Sequence, residues 1–171
     1  MIDLSKNTEI AEYFLKPGYI YFTSEPTVIS SVLGSCVAIT IYDRSNCVGG
    51  MNHFAFSNLE DGASPNALYA KPATFHLIRL FSRAGSDIST LEAQIFGGGM
   101  PEDYDSSAPD IGGDNLKAAM GMLDFFGIKL VGSDIGGHYG RKVVFNSSTG
   151  EVFIAKVNRI RQSDWFPFPE I

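Results

Sequence analysis

The sequence predicts an α/β domain in which largely antiparallel, mixed β-sheets pack with flanking helices. Three observations carry that expectation. Short runs rich in β-branched and aromatic residues recur between Tyr19 and Val157. Two segments of helical period stand among them. Most links between neighbouring runs are short and made of turn-forming residues, as in hairpins.

Taken in order, residues 1–16 predict a short helix, because Ile10, Tyr13 and Phe14 recur at roughly helical spacing before Pro17-Gly18. Tyr19 to Phe22 and Thr27 to Leu33 read as strands around a Ser24-Glu25-Pro26 turn. Val37 to Tyr42 and Cys47 to Phe56 read as a hairpin closed by Asp43-Arg44-Ser45-Asn46. Residues 57–66 form a loop. A helix begins near Pro72 and turns Phe75, Leu77, Ile78, Leu80 and Phe81 to the core, with Gly85 ending it. Leu91 to Phe96 is a strand broken by Gly97-Gly98-Gly99. After a loop over 101–113, a second helix runs from Asn115 to Phe126, with Gly127 as its stop. Ile128 to Val131, Val143 to Phe145 and Val152 to Val157 are the last strands. Residues 158–171 read as an aromatic tail carrying Trp165, Phe166 and Phe168, appended to a single domain over 1–157. That tail either docks on the domain or binds a partner.

Composition narrows the function. With 171 residues, 44% hydrophobic and 19% charged, the chain is long and apolar enough to fold around one sizeable core. A net charge of -6 and the absence of a basic stripe argue against nucleic-acid binding. Two cysteines do not make a disulfide scaffold, and with three histidines they show no metal-ligand spacing, so no metal and no cofactor is expected. The start lacks the pattern of a signal peptide, and no apolar stretch is long enough to span a membrane. A reducing cytoplasm, where a thiol stays reactive, fits these features.

Two short segments concentrate the chemistry. Cys36 follows Leu33-Gly34-Ser35 between two apolar runs, and His53 closes Gly49-Gly50-Met51-Asn52-His53 seventeen positions later. A thiol and an imidazole are what a nucleophile and its base require. If the two runs pair as neighbouring strands, the side chains meet, and an imidazolium beside the thiol would depress its pKa. The Gly34-Ser35 turn is the candidate oxyanion site. Asn52, Gly136, Gly137, His138 and Arg141 are candidates for a cleft or a partner surface. Against each stands a bland reading: tight glycine turns, solvated charge, or a packed side chain. Cys47 matches no motif and reads as a small packed thiol.

In sequence order the chain carries Leu33 to Val37 (LGSCV), Gly49 to Phe54 (GGMNHF), Phe96 to Gly98 (FGG), Ile111-Gly112 with Asn115, Asp134 to Val143 (DIGGHYGRKV) and Thr149-Gly150. In these segments it resembles the chemoreceptor glutamine deamidases, CheD, over roughly residues 16–157. The resemblance implies a layered fold and an enzyme that converts particular glutamines of methyl-accepting chemotaxis receptors to glutamate, without a cofactor. It implies Cys36 as nucleophile and His53 as base. The family's third residue is a threonine six positions before the cysteine, which falls on Ser30 and would orient the imidazole. Ser30 and Ser31 cannot both face His53 if the strand is extended, and the resemblance selects Ser30. Asp114 stands where the family has arginine, Gly99 follows Phe96-Gly97-Gly98 in place of alanine, and a proline usual after the histidine segment is missing near Ser57. The alternative reading is an adaptor that docks on receptors or on a CheC-type phosphatase without needing catalysis.

Overall fold

The computed structural model describes residues 10–165, and the strands it contains fall into two sheets. The strands are β1 (Ala11–Phe14), β2 (Tyr19–Thr23), β3 (Thr27–Leu33), β4 (Val37–Asp43), β5 (Val48–Phe54), β6 (Glu92–Gly97), β7 (Lys129–Ile135), β8 (Gly140–Asn146) and β9 (Val152–Val157). The helices are α1 (Ala70–Arg83), α2 (Ile111–Phe126) and the short α3 (Gln162–Trp165). One sheet has the order β1-β3-β8-β9 and the other β2-β5-β4-β6-β7. Pairing is antiparallel except for β1 with β3 and β6 with β7.

Two apolar layers hold three structural layers together. Val37, Ile39, Ile41, Phe54, Ala93 and Ile95 from one face of the five-stranded sheet pack with Ala73, Leu77 and Phe81 of α1 and Ala119 and Leu123 of α2. The opposite face presents Ala38, Met51 and Phe96 to Leu15, just past β1, and to Ile29, Leu33, Val143 and Phe145 of the four-stranded sheet. Every residue of β4 and β5 is therefore buried. Burial on both faces is why VAITIYD and VGGMNHF read as near-continuous runs and not as alternating ones. Gly49 and Gly50 let both neighbours come close. A Cβ on Gly49 would meet the Ser147 backbone at 2.6 Å, and one on Gly50 would meet Leu77 at 2.9 Å.

The expected α/β class and antiparallel character hold, with corrections at particular elements. Ala11–Phe14 is a strand, where a helix was expected, because it pairs in parallel with β3, Tyr13 opposite Ile29. Residues 1–9 of that expected helix, and Phe166 and Phe168 of the tail, lie outside the described residues. β2 and β3 are not a hairpin: Ser24-Glu25-Pro26 carries the chain from one sheet to the other. Cys47 is exposed in the β4–β5 turn at φ 54°, and Asp43 organises that turn by accepting from the Ser45 and Asn46 N–H groups. On α1 the buried stripe is Ala73, Thr74, Leu77, Ile78 and Phe81, which leaves Phe75 47% exposed. Helix α2 starts four residues before Asn115, because the Asp110 carboxylate caps the Gly113 N–H at 2.8 Å.

The end of β6 is tied to the segment that follows β3. Gly98 N–H donates to the Cys36 carbonyl at 2.9 Å, and Gly99 N–H to the Gly34 carbonyl at 2.8 Å. Gly97 stands at φ 105°, and a Cβ there would collide with the Cys36 carbonyl oxygen. Gly97→Ala is therefore expected to cost about 2–4 kcal/mol, read as a lower urea midpoint at unchanged m-value.

Candidate active site

Strand register brings the two chemical side chains to one face. Ala38 pairs with His53 and Val37 with Phe54, so β4 and β5 are neighbours as expected. Residues paired across antiparallel strands share a face, which puts His53 between the two sheets with Ala38. Cys36, at the entry to β4, packs into the same inter-sheet cluster. Cys36 is half-buried and His53 is wholly buried.

The hydroxyl beside His53 belongs to Ser31. Its Oγ lies 2.9 Å from His53 Nδ1 and donates to the Leu15 carbonyl at 2.7 Å. The expectation for Ser30 is corrected by strand parity: Ser31 faces inward and is buried, so Ser30 points to the other face and is only half-buried. Ser30 contributes its backbone carbonyl, which accepts from Leu15 N–H at 2.8 Å.

These distances assign the protons. Ser31 has one hydroxyl hydrogen, and a carbonyl can only accept, so that hydrogen goes to Leu15. Ser31 Oγ then faces Nδ1 as an acceptor, and Nδ1 must carry the hydrogen. The imidazole is held as the Nδ1–H tautomer, with a lone pair on Nε2. That nitrogen is buried and has no hydrogen-bond partner among the described residues.

Burial sets the resting charge of both groups. Desolvation pushes the His53 pKa down to about 4, against a weaker opposing effect of the Leu15 carbonyl. Desolvation likewise pushes the Cys36 thiol up to about 11, although its own backbone N–H favours the thiolate. Both shifts favour the neutral forms, thiol and imidazole, which is the opposite direction from the depressed thiol expected from the sequence. A linked stability effect follows. Folded His53 refuses a proton that the unfolded chain accepts below pH 6.5. Its contribution is whole above pH 6.5 and is lost as pH falls towards 4, about 3 kcal/mol in all. The urea midpoint of wild type should fall through this window more steeply than that of His53→Gln.

The turn before Cys36 is fixed carbonyl by carbonyl. Gly99 and Gly98 hold Gly34 and Cys36 from one side, and Asn115 Nδ2 donates to Ser35 O at 3.0 Å from α2. In a trans peptide the N–H points opposite to the C=O, so the N–H groups of Ser35 and Cys36 point away from these donors. A groove of about 1010 Å³ opens on Gly34 and Ser35, with further walls from residues 99–104, Ile111, His138, Tyr139 and residues 158–160. Its rim mixes Glu102 and Asp103 with His138 and Arg159. The Ile160 side chain sits against Gly34 and Gly140, so the first residues of the expected tail border the site.

The remaining candidates separate. His138 lines the groove and is exposed, its Nδ1 3.1 Å from the Met100 carbonyl. Gly136 and Gly137 both have positive φ and hold the facing strand end, through Gly136 N–H to Gly97 O and Met100 N–H to Gly137 O. Arg141 is not a free surface cation. Its side chain is buried, pairs with Asp134 at 2.7 Å and donates to the Tyr139 and Gly136 carbonyls. Asn52 is not in the cleft: it faces the helix layer, accepts from Ile39 N–H at 2.9 Å and donates to Thr74. Sequence reasoning weighed Ser31 and chose Ser30, and it missed the Leu15 carbonyl and the reach of Asn115. For Asn115 the only signal was its place in a motif.

Comparison with known proteins identifies the family. Residues 52–156 match the model of the family described as CheD chemotactic sensory transduction. A relative from Geobacter sulfurreducens, named probable chemoreceptor glutamine deamidase CheD 2, is 30% identical over 91% of this chain and 96% of its own length. Its namesake from Trichlorobacter lovleyi is 37% identical over 86% of this chain and 91% of its own. The one from Haloarcula marismortui is 35% identical over 80% of each. The chain belongs to the CheD family.

Proposed function

We propose that this protein is a protein-glutamine deamidase that converts glutamine side chains of chemotaxis receptors to glutamate, using Cys36 as nucleophile and His53 as base. The observation that carries this reading is the buried His53 Nε2, basic by tautomer and without a partner, on the same inter-sheet face as Cys36. The relatives' names supply the substrate class. No helix among the described residues is long and apolar enough to cross a membrane, and a cytoplasmic setting is part of the proposal.

The steps follow from the residues. A neutral imidazole and a neutral thiol cannot rely on a preformed ion pair, so the proton leaves Sγ as the sulfur attacks. Nε2 takes that proton, and the sulfur bonds to the glutamine amide carbon. We assign the stabilisation of the charge that develops on the amide oxygen to the N–H groups of Ser35 and Cys36, whose peptide carbonyls are held from the opposite side. The imidazolium returns its proton to the amide nitrogen, the C–N bond breaks, and ammonia leaves. Water, deprotonated by the same Nε2, hydrolyses the thioester to glutamate and restores the thiol. Ser31 holds the ring as the Nδ1–H tautomer throughout and touches no reacting atom, which makes it a positioning residue.

The groove beside Gly34-Ser35 is the place for the receptor segment. We read residues 158–171 as a tail appended to the catalytic domain, whose first residues, Asn158 to Ile160, form part of that groove's wall. The test is to incubate a receptor cytoplasmic domain with wild type and with Cys36→Ala, and to follow amide-to-acid conversion by peptide mass. Conversion at defined glutamines by wild type alone supports the enzyme. Binding without conversion supports instead the adaptor reading, in which a receptor or a CheC-type phosphatase is only a docking partner.

A further inference from the structure

The β4–β5 ladder ends one residue short of the nucleophile. Its last rung is Val37 with Phe54, and continuing that register would set Cys36 opposite Ala55. Helix α2 supplies what the missing rung would have given. Asn115, wholly buried, donates from one Nδ2 to the Ser35 carbonyl at 3.0 Å and to the Ala55 carbonyl at 2.8 Å. The first is the peptide that leads into Cys36, and the second lies two residues beyond His53.

Both acceptors are carbonyl oxygens, so the amide cannot be turned round: its oxygen would then oppose two others. Both hydrogens of the amide nitrogen are committed. Its Oδ1 is buried and has no hydrogen-bond partner among the described residues. The side chain is thus held in an orientation that leaves one of its own polar atoms unsatisfied, a condition folded chains ordinarily avoid. What it secures is the spacing between the strand end that carries the thiol and the strand end that carries the base.

We propose that Asn115 is a positioning residue of the active site, setting the distance between Cys36 and His53 by bridging the carbonyls of Ser35 and Ala55. This rests on the Cys36–His53 reading above. Asn115 touches neither reacting atom, and its effect passes through the two backbone segments. Proton transfer from Sγ to Nε2 falls steeply with misplacement, and a drift of about 1 Å costs on the order of 10²-fold.

The deciding measurement needs no receptor. The rate of Cys36 alkylation by iodoacetamide is followed against pH in the Cys47→Ala background, for otherwise unchanged protein, Asn115→Ala, His53→Ala and the double variant. Base assistance by His53 gives a component of the rate at neutral pH that His53→Ala removes. Asn115→Ala should remove most of that component and should add nothing once His53 is gone, so the two effects do not multiply. On receptor substrate, kcat should fall about 10²-fold with KM little changed. A merely structural asparagine would lower the melting temperature while leaving the His53-dependent alkylation in place, or would multiply with His53→Ala, and either result overturns the proposal. Asn115→Ser keeps one donor at that point of the helix and replaces Asn115→Ala in the same comparison if the alanine variant does not fold. Wild-type alkylation indifferent to His53 overturns this proposal and the Cys36–His53 reading together. Failure of wild type to convert receptor glutamine, with the alkylation pattern as expected, overturns only the substrate assignment.

Discussion

Cys36→Ala is expected to abolish receptor deamidation, by roughly 10⁴-fold or more, because the other nucleophile at the turn, the Ser35 hydroxyl, is far weaker than a thiol. The fold should survive. Cys36 is half-buried, and losing one sulfur beside the inter-sheet cluster costs about 1 kcal/mol. Cys47→Ala is the matched control: that thiol is exposed in the β4–β5 turn and should be dispensable. Turnover on a receptor domain, with thermal melts of both variants, checks the pair. An active Cys36→Ala beside an inactive Cys47→Ala would mean that the chemistry is at the other thiol.

Ser31→Ala is the second large effect, expected to lower kcat about 10²-fold. Removing the hydroxyl takes away the Ser31 donor to the Leu15 carbonyl and the Ser31 acceptor of Nδ1–H. The ring is then held less firmly against carrying its proton on Nε2, the tautomer that cannot act as base. The loss should be smaller than the roughly 10⁴-fold that removal of a carboxylate orienter costs in a serine-type triad, since a hydroxyl does not stabilise the imidazolium by charge. Ser30→Ala should stay close to wild type, because that side chain looks away from His53. Equal losses in both variants would point to a general defect of β3 and not to the ring.

What could be read from the sequence depended on whether the cause was local. β4, β5 and the Leu77, Ile78 and Phe81 part of the stripe on α1 were legible because burial on both faces of a strand, or on one face of a helix, writes itself into consecutive residues. Ala11–Phe14 was not legible, since its strand state comes from pairing with β3 across the chain and its own spacing suits a helix equally well. The choice between Ser30 and Ser31 turned on which face of β3 looks inward, and adjacent residues carry no mark of that parity. Cys36 and His53 were identifiable by type and motif. Their charge states were not, because the degree of desolvation is a property of the packed layers. Asn115 bonds only to backbone carbonyls, which every residue possesses, so no partner residue could announce it.

The chain of contacts that fixes the base ends at the main-chain oxygen of Leu15, an atom common to all twenty amino acids. No substitution at position 15 deletes it; replacing that buried leucine disturbs the packing between the sheets but leaves a carbonyl there. The Nδ1–H tautomer of His53 is therefore anchored in the course of the polypeptide and not in its alphabet. Vulnerability shifts from substitutions to changes of length. A one-residue deletion or insertion at the end of β1, between Phe14 and Leu15 or at Leu15 itself, would present a different carbonyl to Ser31, or none, with every side chain of the candidate site intact.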